Sequence, residues 1–116
     1  MCTPIVLKCH TSGDTWRGLT LNLTLNGAPM NLTGSRVDMQ MRKLPTSAAT
    51  SYSWSSAGVD PTILITDALN GVVSISKRVI GGFGKLHFDV QVTSADGDVR
   101  TVLSGELPLV EDVTRV

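Results

Sequence analysis

Few residues of this chain are of a type that could act in catalysis or bind a metal ion. The two histidines are His10 and His87, and a hydrolase needs a base beside a nucleophile. His10 follows Cys9 at the end of an apolar segment, whereas His87 shares the polar face of an alternating segment with Lys85 and Asp89. Neither histidine lies in a Gly-x-Ser-x-Gly turn or a comparable setting. We therefore predict no catalytic residue and no enzymatic activity.

Candidate metal ligands lack the number and spacing that metal sites require. Cys2, Cys9 and His10 do not form the paired motifs of a closed zinc site. Asp96 and Asp98 flank a glycine, but the rest of their loop does not supply the oxygen cage of a calcium site. A hairpin turn explains these two aspartates better. We expect no metal site and no cofactor.

The elements that would position any site are β-strands. Apolar residues occupy every second position from Leu86 to Val92, and the same period continues from Val99 to Leu109 beyond an Asp-Gly turn. A period of two is typical of strands with one face on a core and the other in water. The glycine of the turn supplies the positive φ that a tight connection needs. The pattern predicts a long C-terminal hairpin.

Other segments share this pattern, and Gly, Asn, Asp and Pro residues separate them. The further strands that we predict cover residues 4–10, 19–25, 36–42, 50–55, 63–66 and 71–76. Residues 77–84 are expected to form a turn of helix or an irregular crossover. Seven or eight short strands favour an antiparallel two-sheet sandwich or a small barrel. The predicted core contains Leu21, Leu23, Val37, Met39, Met41, Phe88, Val90 and Leu103, and Cys9 is expected to face inward with Ile5 and Leu7.

Length and charge indicate the kind of partner. The chain has 116 residues, which predicts a single domain over residues 1–116. Ten basic and ten acidic residues are dispersed and give zero net charge, which argues against nucleic acid and against a membrane surface. Charged residues make up 17% of the chain, compared with roughly 25% in typical domains. One interpretation is a Ser/Thr/Asn-rich surface, and the other is that neighbouring subunits cover several faces.

The N-terminal residues do not read as an export signal. They lack a basic region, and Lys8 interrupts the short apolar run that follows. We expect the chain to remain in the cytosol until it assembles, with its cysteines reduced.

Two groups of residues are candidate contacts with neighbouring subunits. Trp16, Tyr52 and Trp54 lie in polar surroundings, where aromatic residues are natural interface anchors, although both tryptophans are equally suited to capping the core. The last predicted strand is also longer than the usual ~5–6 residues, and its unpaired backbone groups would invite strand addition. Residues 110–116, which include Val110, Val113 and Arg115, form a predicted docking arm.

Several motifs, taken in order, resemble a known family. They are Gly13-Asp14-Thr15-Trp16, residues 25–34 and 37–42, Gly71-Val72-Val73-Ser74-Ile75, residues 84–90, Asp96-Gly97, Leu103-Ser104-Gly105 and Asp112-Val113-Thr114-Arg115. Together they resemble small virion proteins of tailed phages and are similar to the N-terminal domain of baseplate upper proteins. The resemblance covers nearly the whole chain.

The resemblance implies an immunoglobulin-like antiparallel β-sandwich, without catalysis, that attaches a tail fibre or baseplate component to the tail. It implies a virion subunit, assembled in the host cytoplasm, whose partners are copies of itself and other tail, fibre or capsid proteins. Such domains often lead into a further fibre region, whereas this sequence stops at Val116, so a free-standing adaptor or decoration subunit is expected. Two alternatives stay open. They are a capsid decoration protein and a carbohydrate-binding module that stacks sugars on Trp16, Tyr52 and Trp54.

Overall fold

The chain is all-β. The computed structural model describes residues 5–7, 9–25, 27–44, 51–81 and 84–110. The strands are β1 (Ile5–Val6), β2 (His10–Thr11), β3 (Thr15–Trp16), β4 (Leu19–Asn22), β5 (Thr24–Leu25), β6 (Ala28–Pro29), β7 (Arg36–Arg42), β8 (Tyr52–Ser55), β9 (Ile63–Asp67), β10 (Val72–Ile75), β11 (Arg78–Val79), β12 (Lys85–Thr93) and β13 (Val99–Val110), with one 3-10 helix, η1 (Ala68–Asn70). These segments outnumber the seven or eight expected strands for two reasons: two predicted strands are interrupted, and the short strands β3, β6 and β11 lie outside the predicted ranges.

The largest sheet has six strands. Its order is β1-β13-β12-β7-β8, and β2 also pairs with β13. β12 pairs antiparallel with β7 on one side and with β13 on the other. Both N-terminal strands, β1 and β2, run parallel to β13. The prediction of purely antiparallel pairing is therefore wrong at this end of the sheet.

The remaining strands form a three-stranded sheet, in the order β4-β10-β9, and two short ribbons, β11-β3 and β5-β6. The predicted strands over residues 63–66 and 71–76 are confirmed as β9 and β10, which pair antiparallel in a hairpin around η1. One core cluster combines side chains of the six-stranded sheet with side chains of the three-stranded sheet. It includes Val37, Met39 and Met41 from β7, Phe88, Val90 and Val92 from β12, Ile63 from β9, and Val73 and Ile75 from β10.

The predicted core is confirmed for most of its members. Val37, Met39, Met41, Phe88, Val90 and Leu23 are buried, whereas Leu21 and Leu103 are half-buried and pack against the cluster. In β7 and β12 buried and half-buried residues alternate along almost the whole strand, as the period of two predicts. Burial of one such apolar side chain stabilises the fold by about 1.5–3 kcal/mol.

A β-bulge interrupts the alternation of β13. Val90 pairs with Leu103 but Gln91 pairs with Thr101, so Val102 is an extra residue on this strand. Cross-strand partners share a face, and the extra residue therefore places Leu103 on the core side and Thr101 on the outer side. The prediction that Val99 and Thr101 continue the inward row is wrong, and Val99 is 62% exposed.

Two other predicted strands are interrupted. Residues 19–25 divide into β4 and β5 at the buried Leu23, and β5 joins a separate hairpin in which Leu25 is 38% exposed. The predicted strand over residues 4–10 becomes β1 and β2, and at its end Cys9 is exposed while His10 is buried. The inward orientation predicted for Cys9 is therefore wrong.

The segment after β10 is not helical where it is described. Arg78–Val79 forms β11, which pairs with Trp16 and Thr15 of β3. Among residues 77–81 and 84 no helical turn occurs. This strand brings Arg78 beside the aromatic residues of β3 and β8.

Candidate interaction site

The two tryptophans belong to the core. Trp16 is 7% exposed and Trp54 is 2% exposed, and their ring centroids lie 5.5 Å apart in an edge-on arrangement. The Trp54 Nε1–H donates a hydrogen bond to the carbonyl oxygen of Ser76 at 3.1 Å. Aromatic pairs in this geometry contribute about 0.5–1.5 kcal/mol beyond the area that they bury. In the isolated chain these two indoles offer little surface to a neighbouring subunit.

The third aromatic candidate, Tyr52, is half-buried. Its hydroxyl accepts a hydrogen bond from the backbone N–H of Gly81 at 3.0 Å. The Arg78 guanidinium carbon lies 5.0 Å from the Tyr52 ring centroid and 5.7 Å from that of Trp54, and its Nη1 donates to the Ser53 carbonyl at 3.1 Å. A sugar-stacking platform needs open ring faces. This cluster instead has two buried rings and a third under an arginine.

His10 joins three segments of the chain. Its Nε2 lies 3.0 Å from the carbonyl oxygen of Asp14 and 3.2 Å from that of Ile80. Because both groups are acceptors, Nε2 carries the proton. The ring thereby connects β2 with the turn before β3 and with the residue after β11. This is a structural role, and sequence reasoning missed it because Ile80 is remote in the chain.

The outer face of the six-stranded sheet carries two rows of polar side chains. The register of β7, β12 and β13 aligns Arg42 with His87 and His87 with Glu106 in the first row. The second row consists of Gln40, Asp89 and Ser104. All six residues are half-buried and alternate with core positions.

A surface depression of about 380 Å³ lies between these rows. It is lined by Gln40, Arg42, His87, Phe88, Asp89, Ser104, Gly105 and Glu106, and we call it the outer depression. Its volume lies within the range of about 300–1,000 Å³ that small-ligand sites occupy.

The Glu106 carboxylate of the first row already has partners within the chain. Lys85 Nζ lies 2.9 Å from Glu106 Oε2, and His87 Nδ1 lies 3.7 Å from the same oxygen. Arg42 Nη2 donates to Gln40 Oε1 at 2.8 Å, which links the two rows.

Asp89 differs from these neighbours. Among the residues that the structure describes, none donates a hydrogen bond to its carboxylate or forms an ion pair with it, although the residue is half-buried. The adjacent Ser104 hydroxyl is likewise without a partner among them. Sequence reasoning placed Asp89 on the polar face beside His87 but assigned it no role, since the neighbours supplied by β7 and β13 follow only from the register.

The C-terminal candidate site is described only in part. Val110 is 49% exposed, and its carbonyl accepts a hydrogen bond from the Ser12 N–H at 2.8 Å. The other two candidates, Val113 and Arg115, lie outside the described residues, as does the rest of the predicted arm. On the side of β13 opposite β12, no described strand pairs with residues 99–104.

Hydrogen bonds within residues 94–98 stabilise the turn that contains Asp96. The Ser94 hydroxyl donates to the Asp96 carboxylate, and the Ser94 N–H donates to the Asp98 carbonyl at 2.8 Å. The Ser94 hydrogen bond is the main cause that lowers the pKa of Asp96 below its ordinary value of 3.8. These contacts are those of the predicted hairpin turn.

Within the described ranges, no group of three or more His, Cys, Asp or Glu side chains is placed to hold a metal ion. No described helix is long and apolar enough to cross a bilayer.

No family model matches the chain, and no match is found among the curated proteins or among the solved structures. The assignment to tailed-phage virion proteins therefore stays a prediction from the ordered motifs.

Proposed function

We propose that this chain is a non-enzymatic structural subunit of a tailed-phage virion, situated at the tail, the baseplate or the fibre attachment. We further propose that its two larger sheets form an immunoglobulin-like β-sandwich. The resemblance of the ordered motifs suggests both statements. An all-β chain with one core shared by a six-stranded and a three-stranded sheet is compatible with them.

The observation that carries an assembly role is the long strand β13. It has twelve residues, and its far side receives β1 at Gly105–Glu106 and β2 at Leu109–Val110. Residues 99–104 have no described strand on that side. Such an edge presents backbone donors and acceptors with which another chain can pair. The exposed Val99 lies at its end.

The charge of the chain supports the same interpretation. With zero net charge and few charged residues, subunit contacts are expected to rely mainly on apolar and main-chain groups. Exposed valines lie along this side of the sheet, namely Val6 in β1 and Val110 at the end of β13.

The proposal is tested by locating the chain in purified particles. Quantitative mass spectrometry should find it in fixed stoichiometry with tail proteins, and antibody labelling should mark the tail. Labelling of the capsid would favour a decoration protein instead. Absence of the chain from purified particles would refute a virion role.

A truncation tests the predicted docking arm. A chain that ends after Leu109 should fold, because its core is intact, but should no longer enter particles. The matched control ends after Val110 and keeps the hydrogen bond from Ser12 to Val110. Both truncated chains lack residues 111–116, and only the control keeps the contact with β2. A defect shared by the two chains therefore indicates loss of the arm, whereas a defect of the shorter chain alone indicates loss of that contact. Incorporation of the shorter chain at the full-length level would exclude the arm as the interface.

A further inference from the structure

Asp89 is the least satisfied charge on the outer face. It lies on the inner strand β12, between Gln40 of β7 and Ser104 of β13, where it is half-buried. No described residue forms a hydrogen bond or an ion pair with its carboxylate, and the Arg42 guanidinium in the same depression donates to Gln40 instead. A partly desolvated carboxylate favours a cation, and a charge-assisted hydrogen bond is stronger than a neutral one.

The neighbouring residues restrict which cation fits. Glu106 is already paired with Lys85 and lies near His87, so Asp89 is the acceptor that remains. The Ser104 hydroxyl adds a second acceptor. A divalent metal ion would need more oxygen or nitrogen ligands than the described residues bring together here. A guanidinium group, which carries five donors in a planar fork, matches a carboxylate with an adjacent hydroxyl.

We propose that the outer depression is a docking site for an arginine side chain of a neighbouring protein subunit, which binds to Asp89 and Ser104. Its volume of about 380 Å³ leaves room for the whole side chain to enter between the two polar rows. The nature of the partner as a virion subunit rests on the proposed function, whereas recognition of arginine rests on the depression alone.

The test is a nuclear magnetic resonance titration of the full 116-residue chain. The probe is the peptide acetyl-Gly-Arg-Gly-amide, and the matched control peptide carries Gln in place of Arg. The Arg peptide should produce saturable shifts in the amides of Gln40, Asp89 and Ser104, and the Gln peptide should not. Added salt should weaken the effect, because the pair is electrostatic.

Variants identify the acceptor. Asp89→Asn keeps the shape of the side chain but removes its charge, and it should weaken binding about tenfold or more. Asp60→Asn, at an exposed position outside the depression, should bind like the unmodified chain. Ser104→Ala should have a smaller effect in the same direction as Asp89→Asn.

The inference is overturned by any of three results: no saturable shift, equal shifts with the Gln peptide, or unchanged affinity in Asp89→Asn. If the chain is nevertheless present in purified particles, the proposed function stands and the arginine site falls. If the peptide binds as expected but purified particles lack the chain, the arginine site stands and the proposed function falls.

Discussion

Replacing Gly18 by alanine should disrupt the junction between β3 and β4. Gly18 has φ +81° and lies beside the end of β10, where a Cβ atom would be 2.0 Å from the carbonyl oxygen of Ile75. That oxygen belongs to the backbone, so no side-chain rotation relieves the overlap. The matched control is Gly27, which has φ +80° and no atom within 4 Å of its Cβ position.

The difference between the two variants isolates the overlap. A left-handed backbone costs alanine about 1–2 kcal/mol at either position, and this is partly offset by the lower entropy of the unfolded chain. At Gly18 the Leu19–Ile75 pairing must also shift, and because the overlap is with a backbone atom this adds about 2–3 kcal/mol or more, the upper part of the usual cost of overpacking. We expect Gly18→Ala to be less stable than Gly27→Ala by at least about 2 kcal/mol.

Thermal unfolding followed by circular dichroism measures this difference. For a chain of this length, about 1 kcal/mol corresponds to about 4 °C in Tm, so the two variants should differ by about 8 °C or more. Tryptophan fluorescence provides a second signal, since Trp16 is two residues from Gly18 and Trp54 packs against it. Equal losses of Tm in the two variants would refute the argument from the close approach of Ile75.

Two further substitutions test the register of β12 and the turn that follows it. Phe88→Asp buries a carboxylate in the core and should abolish cooperative unfolding, whereas Gln91→Asp on the outer face should cost less than about 1 kcal/mol despite the Asp38 opposite it. Equal tolerance of both, measured by urea unfolding, would contradict the assigned faces. Ser94→Ala should raise the pKa of Asp96 toward 3.8, because the main hydrogen bond that lowers it is removed. In the unmodified chain the lowered pKa favours the folded state above about pH 4, and this contribution is lost as the pH falls through the folded-state pKa. A carboxyl titration by nuclear magnetic resonance that finds the same Asp96 pKa in both proteins would exclude Ser94 as the cause.

The core was predictable where the period of two is uninterrupted. β7 and β12 bury the residues that alternation selects, because each strand is regular over its whole length. β13 was not fully predictable, since one extra residue at Val102 reverses which face the preceding side chains occupy. Val102 and Leu103 are consecutive apolar residues, and that pair was the available signal. Alternation alone cannot locate such an insertion, because the apolar period of the sequence continues across it.

The remaining features could not be predicted because they depend on contacts between segments that are distant in the sequence. Hydrophobicity favoured Cys9 as the inward residue, but the His10 ring finds two carbonyl acceptors, at Asp14 and Ile80, and is buried instead. The tryptophans could be assigned to the core only when Trp16 and Trp54 were found packed against each other. The outer depression was likewise not predictable from the sequence, since its lining residues come from three strands whose alignment depends on the register.

The two sides of the six-stranded sheet differ in how their edges are protected, and this bears on where a partner can approach. At β8 the carbonyl of Ser53 accepts a hydrogen bond from Arg78, and the carbonyl of Ser55 accepts one from the N–H of Thr62. A strand approaching that edge would have to displace both donors. At β13 the described strands leave residues 99–104 without such donors, and Ser104, at the end of this stretch, also lines the outer depression. A neighbouring segment that pairs with this edge lies two strand spacings, roughly 10 Å, from Asp89 on β12. A long side chain of that segment, reaching across Ser104, would let a single partner contact both the backbone groups of β13 and the carboxylate.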